Sequence, residues 1–288
     1  MDDGTFRFSV GSFRCTAVSD GTFPYPVGAF AENVSVEQLV QELRNQGRPT
    51  DHVATPYTCL VVDTGRHRVL VDTGMGPLPA GFPSTTGRLF DNLRAARIEP
   101  DEIDTVFLTH GHADHIGGNM VEGAPAFPRA RYVMNRVEWE FWASAPTLAE
   151  LRIADELKGF LRAWTETNLL PLRDLIVLIG GEDEVVPGIR AIAAPGHTPG
   201  HTALAIESDG ELVLDLVDTV LDPLQLIHPG WVAEFDFDPA QTVATRQRLF
   251  DRAAAEQARV LCYHFPFPGL GRVTKLDGGW QWEPAAGA

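Results

Sequence analysis

The sequence predicts an α/β protein in which two β-sheets lie in the middle and helices cover them on the outside. Two observations support this prediction. Short segments rich in Val, Leu, Phe and Thr alternate with longer helical patterns in both halves of the chain, and the polar clusters follow the predicted strands. This alternation is typical of layered α/β architectures. Because the 288 residues contain no short-period repeat and 44% are hydrophobic, we expect one compact domain over residues 1–288.

The first half of the chain is predicted to form four strands and two helices. Ser35 is expected to cap a helix, with Gln38 three residues further on, and Gly47 ends this helix. A second helix is predicted over Arg88–Ala96, and Gly65–His67 fits the turn of a hairpin. The strands, each bounded by Gly or Asp, are Phe6–Val10, Phe13–Val18, Tyr57–Asp63 and Arg68–Asp72.

The second half repeats this alternation. Helices are predicted over Asn135–Ala143, Leu148–Trp164 and Pro239–Ala258. Strands are predicted over Thr105–Leu108, Arg131–Met134, Ile189–Ala193, Thr202–Glu207, Glu211–Val217 and Arg259–Tyr263.

The composition disfavours several classes of partner. The net charge of −16 and the lack of a Lys/Arg cluster argue against nucleic acids and anionic membranes, so we expect a small-molecule substrate. Apolar runs such as Leu212–Leu214 are far shorter than the roughly 20 residues that span a membrane. Met1–Phe8 has acids where a secretory signal has bases, which predicts a cytoplasmic protein. Cys15, Cys59 and Cys262 lie singly in apolar surroundings, as small buried side chains do.

A histidine-rich motif follows an apolar predicted strand. The segment Thr109–Gly118, THGHADHIGG, contains His110, His112, Asp114 and His115. In H-x-H spacing alternate side chains point the same way, so the first two histidines can face one ion. The Asp and the third histidine then face a neighbouring point. A polar loop with chance histidines is the alternative, but their density favours two adjacent metal sites.

Further candidate ligands lie at the ends of later strands. His197 belongs to a Pro/Gly-built turn, APGHTPGH, between two predicted strands. His201, at the start of the next strand, is expected to be a hydrogen-bonded structural histidine that supports the ligands without binding a metal itself. Asp218 ends an apolar strand, where an unpaired carboxylate would be costly, and Asp215 is an alternative that lies earlier in that strand. His264 ends the last predicted strand.

These residues resemble the metallo-β-lactamase superfamily, whose H-x-H-x-D-H motif is matched by His110–His115. Within it, Val217–Trp231 and His264–Gly271 look like the methyl parathion hydrolase branch and its related esterases and lactonases. The resemblance implies a four-layer αββα sandwich with the metals at one edge of the two sheets. It extends over most of the chain through Val71–Gly74, Pro195–His201, Asp218 and His264.

The resemblance also implies a set of ligands for two divalent metal ions. One ion would be held by His110, His112 and His197. The other would be held by Asp114, His115 and His264, and Asp218 would bridge the two. Asp114 and Asp218 are therefore the candidate catalytic carboxylates.

The same resemblance places Asp72 behind a ligand histidine, which it would orient; a carboxylate that merely ends a strand is the alternative. Ligation by histidine and carboxylate suits zinc, with Mn, Fe or Co as alternatives. Two ions roughly 3.5–4 Å apart would hold a bridging water, lower its pKa toward neutrality and polarise a carbonyl or phosphoryl oxygen. We therefore expect hydrolysis by a bridging hydroxide.

Departures from other branches narrow the choice. Flavodiiron oxygen reductases carry Glu where this chain has His112, which argues against redox chemistry. Zinc β-lactamases carry Cys where this chain has Asp218, which argues against β-lactam hydrolysis. Acyl-homoserine lactonases commonly carry a proton-donating Tyr shortly after the bridging aspartate, and Val220–Leu226 contains none. A lactonase role therefore has no support from that position. The nuclease branches need a basic surface, which this chain lacks.

The substrate pocket is harder to predict. Apolar and aromatic residues near predicted loops are candidates for its mouth, and packing in the core is the alternative for each. His228 lies in a Pro-Gly turn and fits a loop histidine better than a further ligand, and Trp231 is equally a candidate contact in a homodimer. The pocket candidates are Phe23, Trp139, Trp142, Leu224, His228 and Trp231.

These observations predict a binuclear metal hydrolase of small apolar esters, lactones or organophosphate-like triesters. A catalytically weak sensor or binding module on the same fold is one alternative, although no ligand is missing. A thioesterase of the glyoxalase II type is another. It would need a helical C-terminal domain, for which the segment after His264 is too short.

Overall fold

The computed structural model describes residues 4–76, 78, 84–144, 148 and 151–285. Its helices are α1 (Val36–Asn45), α2 (Leu89–Ala95), α3 (Ala113–Ile116), α4 (Arg136–Ala143), α5 (Asp155–Asn168), α6 (Leu224–Ile227) and α7 (Pro239–Ala255). Its strands are β1 (Thr5–Val10), β2 (Phe13–Tyr25), β3 (Val53–Asp63), β4 (Arg68–Val71), β5 (Thr105–Leu108), β6 (Met120–Val121), β7 (Ala124–Pro125), β8 (Arg131–Asn135), β9 (Ile176–Ile179), β10 (Glu184–Val186), β11 (Ile189–Ala193), β12 (Thr202–Ser208), β13 (Glu211–Asp215), β14 (Arg259–Leu261), β15 (Leu270–Leu276) and β16 (Gly279–Pro284).

Two mixed sheets of seven strands form the middle of the molecule. The first has the order β1-β2-β3-β4-β5-β8-β9 and the second the order β10-β11-β12-β13-β14-β15-β16. In the first sheet β4, β5, β8 and β9 are parallel, whereas in the second only β13 and β14 are. The carboxyl ends of β5 and β14 both lead into residues of the histidine-rich site.

Strand β3 shows how the sheets are buried on both faces. Its side chains alternate, so that Leu60 and Val62 enter the core between the two sheets, with Ile206 and Leu261 of the second sheet. Cys59 lies in the core on the opposite face of the first sheet. This explains why the strand is apolar throughout instead of alternating with polar residues.

Helices cover the outer face of each sheet. Leu93 of α2 and Trp142 of α4 pack in the outer core of the first sheet. Leu249 and Phe250 of α7 pack against the second sheet with Leu214. The layers are therefore helix, sheet, sheet and helix, which is the αββα sandwich that the sequence predicts.

Most predicted elements are present, with different bounds. Ser35 caps α1 by accepting a hydrogen bond from the backbone nitrogen of Gln38. Strand β2 continues to Tyr25, because a bulge between Ser19 and Gly21 lets the pairing resume. Six strands were not predicted. They are β6, β7, β9, β10, β15 and β16, which are short or carry many polar and exposed residues.

Two predicted helices have other bounds in the structure. The one predicted over Leu148–Trp164 is described as α5 over Asp155–Asn168, and residues 145–147 and 149–150 lie outside the described residues. The one predicted over Pro239–Ala258 ends at Ala255, since Gln257 adopts a φ of 53°. Among the described helices, none combines the length and the apolar character needed to cross a membrane.

Candidate metal centre and cavity

The candidate ligands meet at one edge of the sandwich because each follows a strand or begins a short helix there. His110 and His112 follow β5, and Asp114 lies in the single turn α3. His197 occupies the turn between β11 and β12, and His264 follows β14. Carboxylate and imidazole groups from distant parts of the chain are thereby brought into two groups. The first cluster is His110, His112, His197 and Asp218, and the second cluster is Asp114, His115 and His264.

The first cluster has the geometry of a metal site. Nδ1 of His112 lies 3.0 Å from Nε2 of His110 and 2.9 Å from Nε2 of His197. Ligand nitrogens around a tetrahedral zinc with bonds near 2.05 Å are about 3.3 Å apart, which is close to these separations. All donor atoms of a cluster lie within 4.8 Å of one another, and every residue is buried.

Asp218 joins the two clusters through one oxygen. Its Oδ2 lies 3.3 Å from Nε2 of His197 in the first cluster and 3.2 Å from Nε2 of His264 in the second. Nε2 of His115 is 3.4 Å away from the same oxygen. The backbone reaches this position through Val217, whose φ of 46° is strained for a β-branched residue.

The donor set fits two divalent metal ions. Nε2 of His115 and Oδ1 of Asp218 are buried and have no hydrogen-bond partner among the described residues, as expected of atoms that face a metal. Five imidazoles and two carboxylates, without a thiolate, match the ligand chemistry of zinc. Burial and the neighbouring histidines lower the pKa of both His110 and His112, which favours the neutral ring that binds metals.

Two of the predicted supporting residues stand directly behind ligands. Oδ2 of Asp72 lies 2.7 Å from Nδ1 of His115, while Oδ1 accepts a hydrogen bond from the backbone nitrogen of Thr109. Nδ1 of His201 lies 3.0 Å from the carbonyl oxygen of Ala194, and its Nε2 accepts from the backbone nitrogen of Asp218. Both residues therefore contact candidate ligand residues without belonging to either cluster.

Asp236 is a supporting residue that sequence reasoning missed. It is 1% exposed, and its Oδ1 lies 2.9 Å from Nδ1 of His197. Its surroundings, Phe235 and Phe237, are the signal that was available, because a carboxylate between two large apolar residues needs a buried partner.

A cavity of about 480 Å³ opens onto both clusters. His112 and His197 of the first cluster, Asp114 and His264 of the second, and the shared Asp218 form its polar floor. Its walls are mostly apolar and come from β2, from the segment that leads into α5, from α5 itself and from the loop before α7. The apolar wall residues include Phe23, Tyr25, Leu157, Phe160, Leu221 and Phe235.

Of the six pocket residues predicted from the sequence, Phe23 lines this cavity and the other five lie elsewhere. Trp139 and Trp142 pack in the outer core of the first sheet, because α4 turns that face toward the sheet. Leu224 and Trp231 pack with α1 instead. His228 stacks on the Trp231 ring at a centroid distance of 4.2 Å, outside the cavity. The prediction was therefore wrong for these five residues, and residues of β2 and α5 form the cavity wall instead.

A family comparison decides where this fold and site belong. The sequence model described as "Metallo-beta-lactamase superfamily" matches residues 53–221, which is more than half of the chain and includes six of the seven ligands. The chain belongs to the metallo-β-lactamase superfamily.

Proteins similar to this chain include N-acyl homoserine lactonases. An N-acyl homoserine lactonase of Bacillus thuringiensis is 30% identical over 170 residues, which are 54% of this chain and 59% of that protein. One from a Bacillus species is 29% identical over 177 residues, which are 56% and 62% of the two chains. The chain thus matches about three fifths of the length of these curated relatives.

Two solved structures match the chain almost completely. The dizinc quorum-quenching lactonase AidC, solved with N-hexanoyl-L-homoserine product, has a TM-score of 0.92 and is 26% identical over 99% of this chain and 98% of that one. The hydrolase AbOPH has a TM-score of 0.89 and is 27% identical over the same shares of the two chains. Both comparisons agree with the αββα architecture described above.

Proposed function

We propose that the chain is a metal-dependent hydrolase that opens lactone rings bearing an apolar acyl chain. The observation that carries this proposal is the position of both metal-ligand clusters on the floor of one apolar cavity. The similarity to N-acyl homoserine lactonases supports it. The natural substrate is then an amphipathic small molecule, with a polar ring at the floor and an alkyl chain along the walls.

The proposed reaction is the addition of water to the lactone carbonyl, followed by cleavage of the ring C–O bond. His110, His112 and His197 would hold one metal, Asp114, His115 and His264 would hold the other, and Asp218 would be shared. Metals bound there would supply Lewis-acid polarisation of the carbonyl and a lowered pKa of water. The leaving alkoxide oxygen must gain a proton, so a hydrogen-bond donor is needed near the floor of the cavity.

Tyr25 is the residue that we propose for this donor. It lines the cavity, and its hydroxyl oxygen lies 2.8 Å from that of Tyr57, which is fully buried. Within the described part of the chain the buried Tyr57 hydroxyl has no other hydrogen-bond partner, so Tyr57 donates to Tyr25 and the Tyr25 proton is free to point into the cavity. Burial and the nearby Asp114 raise the pKa of Tyr25, which keeps that proton in place at neutral pH. Tyr25 thus supplies the tyrosine hydroxyl that is missing from Val220–Leu226, the segment after Asp218.

The apolar walls support the proposed preference for an apolar acyl chain. Phe23 and Tyr25 pack at a centroid distance of 4.9 Å, and Phe235 lies 5.6 Å from Tyr25 on another side. Leu157 and Phe160 of α5 line the cavity as well. Each methylene that a substrate buries here contributes about 0.8 kcal/mol, so we expect binding to strengthen with chain length until the cavity is filled.

A substrate panel tests the proposal. Zinc-loaded protein is assayed on homoserine lactones with acyl chains of four to twelve carbons, on aryl esters, on thioesters and on phosphotriesters. We expect lactones to give the highest kcat/KM and the longer chains to exceed the shortest. Comparable rates on all classes, or faster turnover of phosphotriesters, would contradict the lactonase proposal. No turnover of any class would favour a binding module.

A further inference from the structure

Glu138 is a buried acid on α4, where the adjacent apolar residue Val137 is exposed. Its side chain on α4 is 0% exposed, whereas the neighbouring Val137 is 51% exposed. A buried carboxylate is costly unless hydrogen bonds compensate it, so its partners identify what it stabilises. Glu138 belongs to neither metal cluster and does not line the cavity.

Four hydrogen bonds converge on this carboxylate. Oε1 accepts from the backbone nitrogen of Gly111 at 2.9 Å and from Nε1 of Trp142 at 2.5 Å. Oε2 accepts from Oγ1 of Thr198 at 2.7 Å and from the backbone nitrogen of Gly200 at 2.9 Å. Three of the four donors belong to ligand-bearing loops. Gly111 stands between His110 and His112, and Thr198 follows His197.

Gly111 and Gly200 permit this contact because they have no side chain. A Cβ atom at Gly200 would lie 2.2 Å from the backbone nitrogen of Glu138, and one at Gly111 would lie 2.4 Å from Cδ1 of Trp142. Any larger residue at either position would push its loop away from α4. The loops therefore approach the helix as closely as the backbone allows.

We propose that Glu138 is a positioning residue that sets the metal affinity of the first cluster. Its two oxygens tie the loop of His110 and His112 to the loop of His197, which come from different sheets. The nitrogens of those histidines lie only 2.9–3.0 Å apart, so a small relative shift of the loops would spoil their convergence. Glu138 touches none of the ligands and acts only through their loops.

The chemistry calls for a carboxylate at this place. Each of its oxygens accepts two hydrogen bonds, and all four partners are donors. A glutamine would present its NH₂ group to one pair of donors, so two of the four bonds would be lost and like groups would face each other. Glu138→Gln therefore changes the charge and bonding of the site while keeping its size.

This inference rests on the metal centre of the proposed function but not on its substrate. Its test measures zinc affinity of the purified protein by competition with a chromophoric chelator, and the visible spectrum of the cobalt-substituted protein. Glu140→Gln is the matched control, because Glu140 is exposed on the same helix. We expect E138Q to bind one of its two zinc ions about 10- to 100-fold more weakly with an altered cobalt spectrum, and E140Q to match the unmodified protein.

A second pair of variants covers the case in which E138Q does not fold. Thr198→Val removes a single hydrogen bond to Glu138, and Thr198→Ser retains the hydroxyl. We expect T198V to bind one of the two zinc ions several-fold more weakly, and T198S to bind both ions with the affinity of the unmodified protein. Unchanged affinity for both ions in folded E138Q, or equal affinities in T198V and T198S, would overturn the proposal. If the protein shows no lactonase activity but the variants change zinc affinity as expected, only the proposed function is contradicted.

Discussion

Asp236 holds the His197 ring through a 2.9 Å contact between Oδ1 and Nδ1. Its other oxygen accepts a hydrogen bond from the backbone nitrogen of Ala233, also at 2.9 Å, so the carboxylate itself is fixed. The contact assigns the proton of the imidazole to Nδ1 and directs Nε2 to the first cluster. A carboxylate behind a metal-binding histidine raises its basicity and fixes its orientation.

Replacing Asp236 by Asn should weaken zinc binding. The amide keeps the size of the side chain but loses the charge that supports His197, so we expect one zinc ion to bind about tenfold more weakly. Chelator competition measures this change. Asp238→Asn is the control, because Asp238 caps α7 two residues further on and Asn is an equally good cap. Equal affinities in D236N and D238N would argue against the orienting role.

Tyr25→Phe should lower kcat for lactones more than it changes KM. The variant keeps the aromatic wall but removes the only hydroxyl that we assign to the leaving oxygen, so a loss of about 100-fold in kcat is expected. Tyr57→Phe should cost less, because the Tyr25 hydroxyl remains in the cavity. Steady-state kinetics on one lactone compares the two, and a Y25F enzyme with unchanged kcat would remove Tyr25 from the reaction.

Phe160→Ala should change chain-length selectivity. Phe160 lines the cavity and packs on Trp164 at a centroid distance of 4.9 Å. We expect kcat/KM for the longest acyl lactones to fall about tenfold, equivalent to about 1.4 kcal/mol of lost apolar contact, with little change for the shortest. Val177→Ala, at an exposed position on β9, serves as the control. A uniform loss over all chain lengths would indicate damage to the fold instead.

Asp20 should make stability fall as pH rises from about 4 to 6. Burial raises its pKa from 3.8 to about 6, despite hydrogen bonds from the backbone nitrogens of Leu89, Gly87 and Met75. The folded state then holds a proton that the unfolded state has lost, so ionisation above pH 4 costs stability on the order of 3 kcal/mol. Urea unfolding of the protein and of Asp20→Asn should give a difference that is largest near pH 4 and shrinks by pH 6. A difference that grows over this range contradicts the assignment.

The clustering of the candidate ligands could be predicted because most of them are encoded locally. His110, His112, Asp114 and His115 occupy six consecutive positions, and His197 and His264 lie in Pro/Gly-rich turns at strand ends. The layers of the fold could likewise be predicted from the alternation of strands and helices.

The cavity walls and the supporting residues could not be predicted in this way. Tyr25, Glu138 and Asp236 reach the site through tertiary packing, and none belongs to a motif. Strand β2 brings Tyr25 to the wall of the cavity only because a bulge lets the strand continue beyond Val18. Trp231 and His228 suggested a pocket by composition, yet they stack on each other away from it.

The central claim is that two metal ions at these clusters carry out lactone hydrolysis, and metal titration tests it most directly. Chelated protein is refilled stepwise with zinc while metal content and hydrolysis of an acyl homoserine lactone are measured on the same sample. We predict no hydrolysis by the metal-free protein and full activity at about two zinc ions per chain. Metal-free protein that still hydrolyses the lactone, or zinc-saturated protein that holds no more than one ion, would contradict the account.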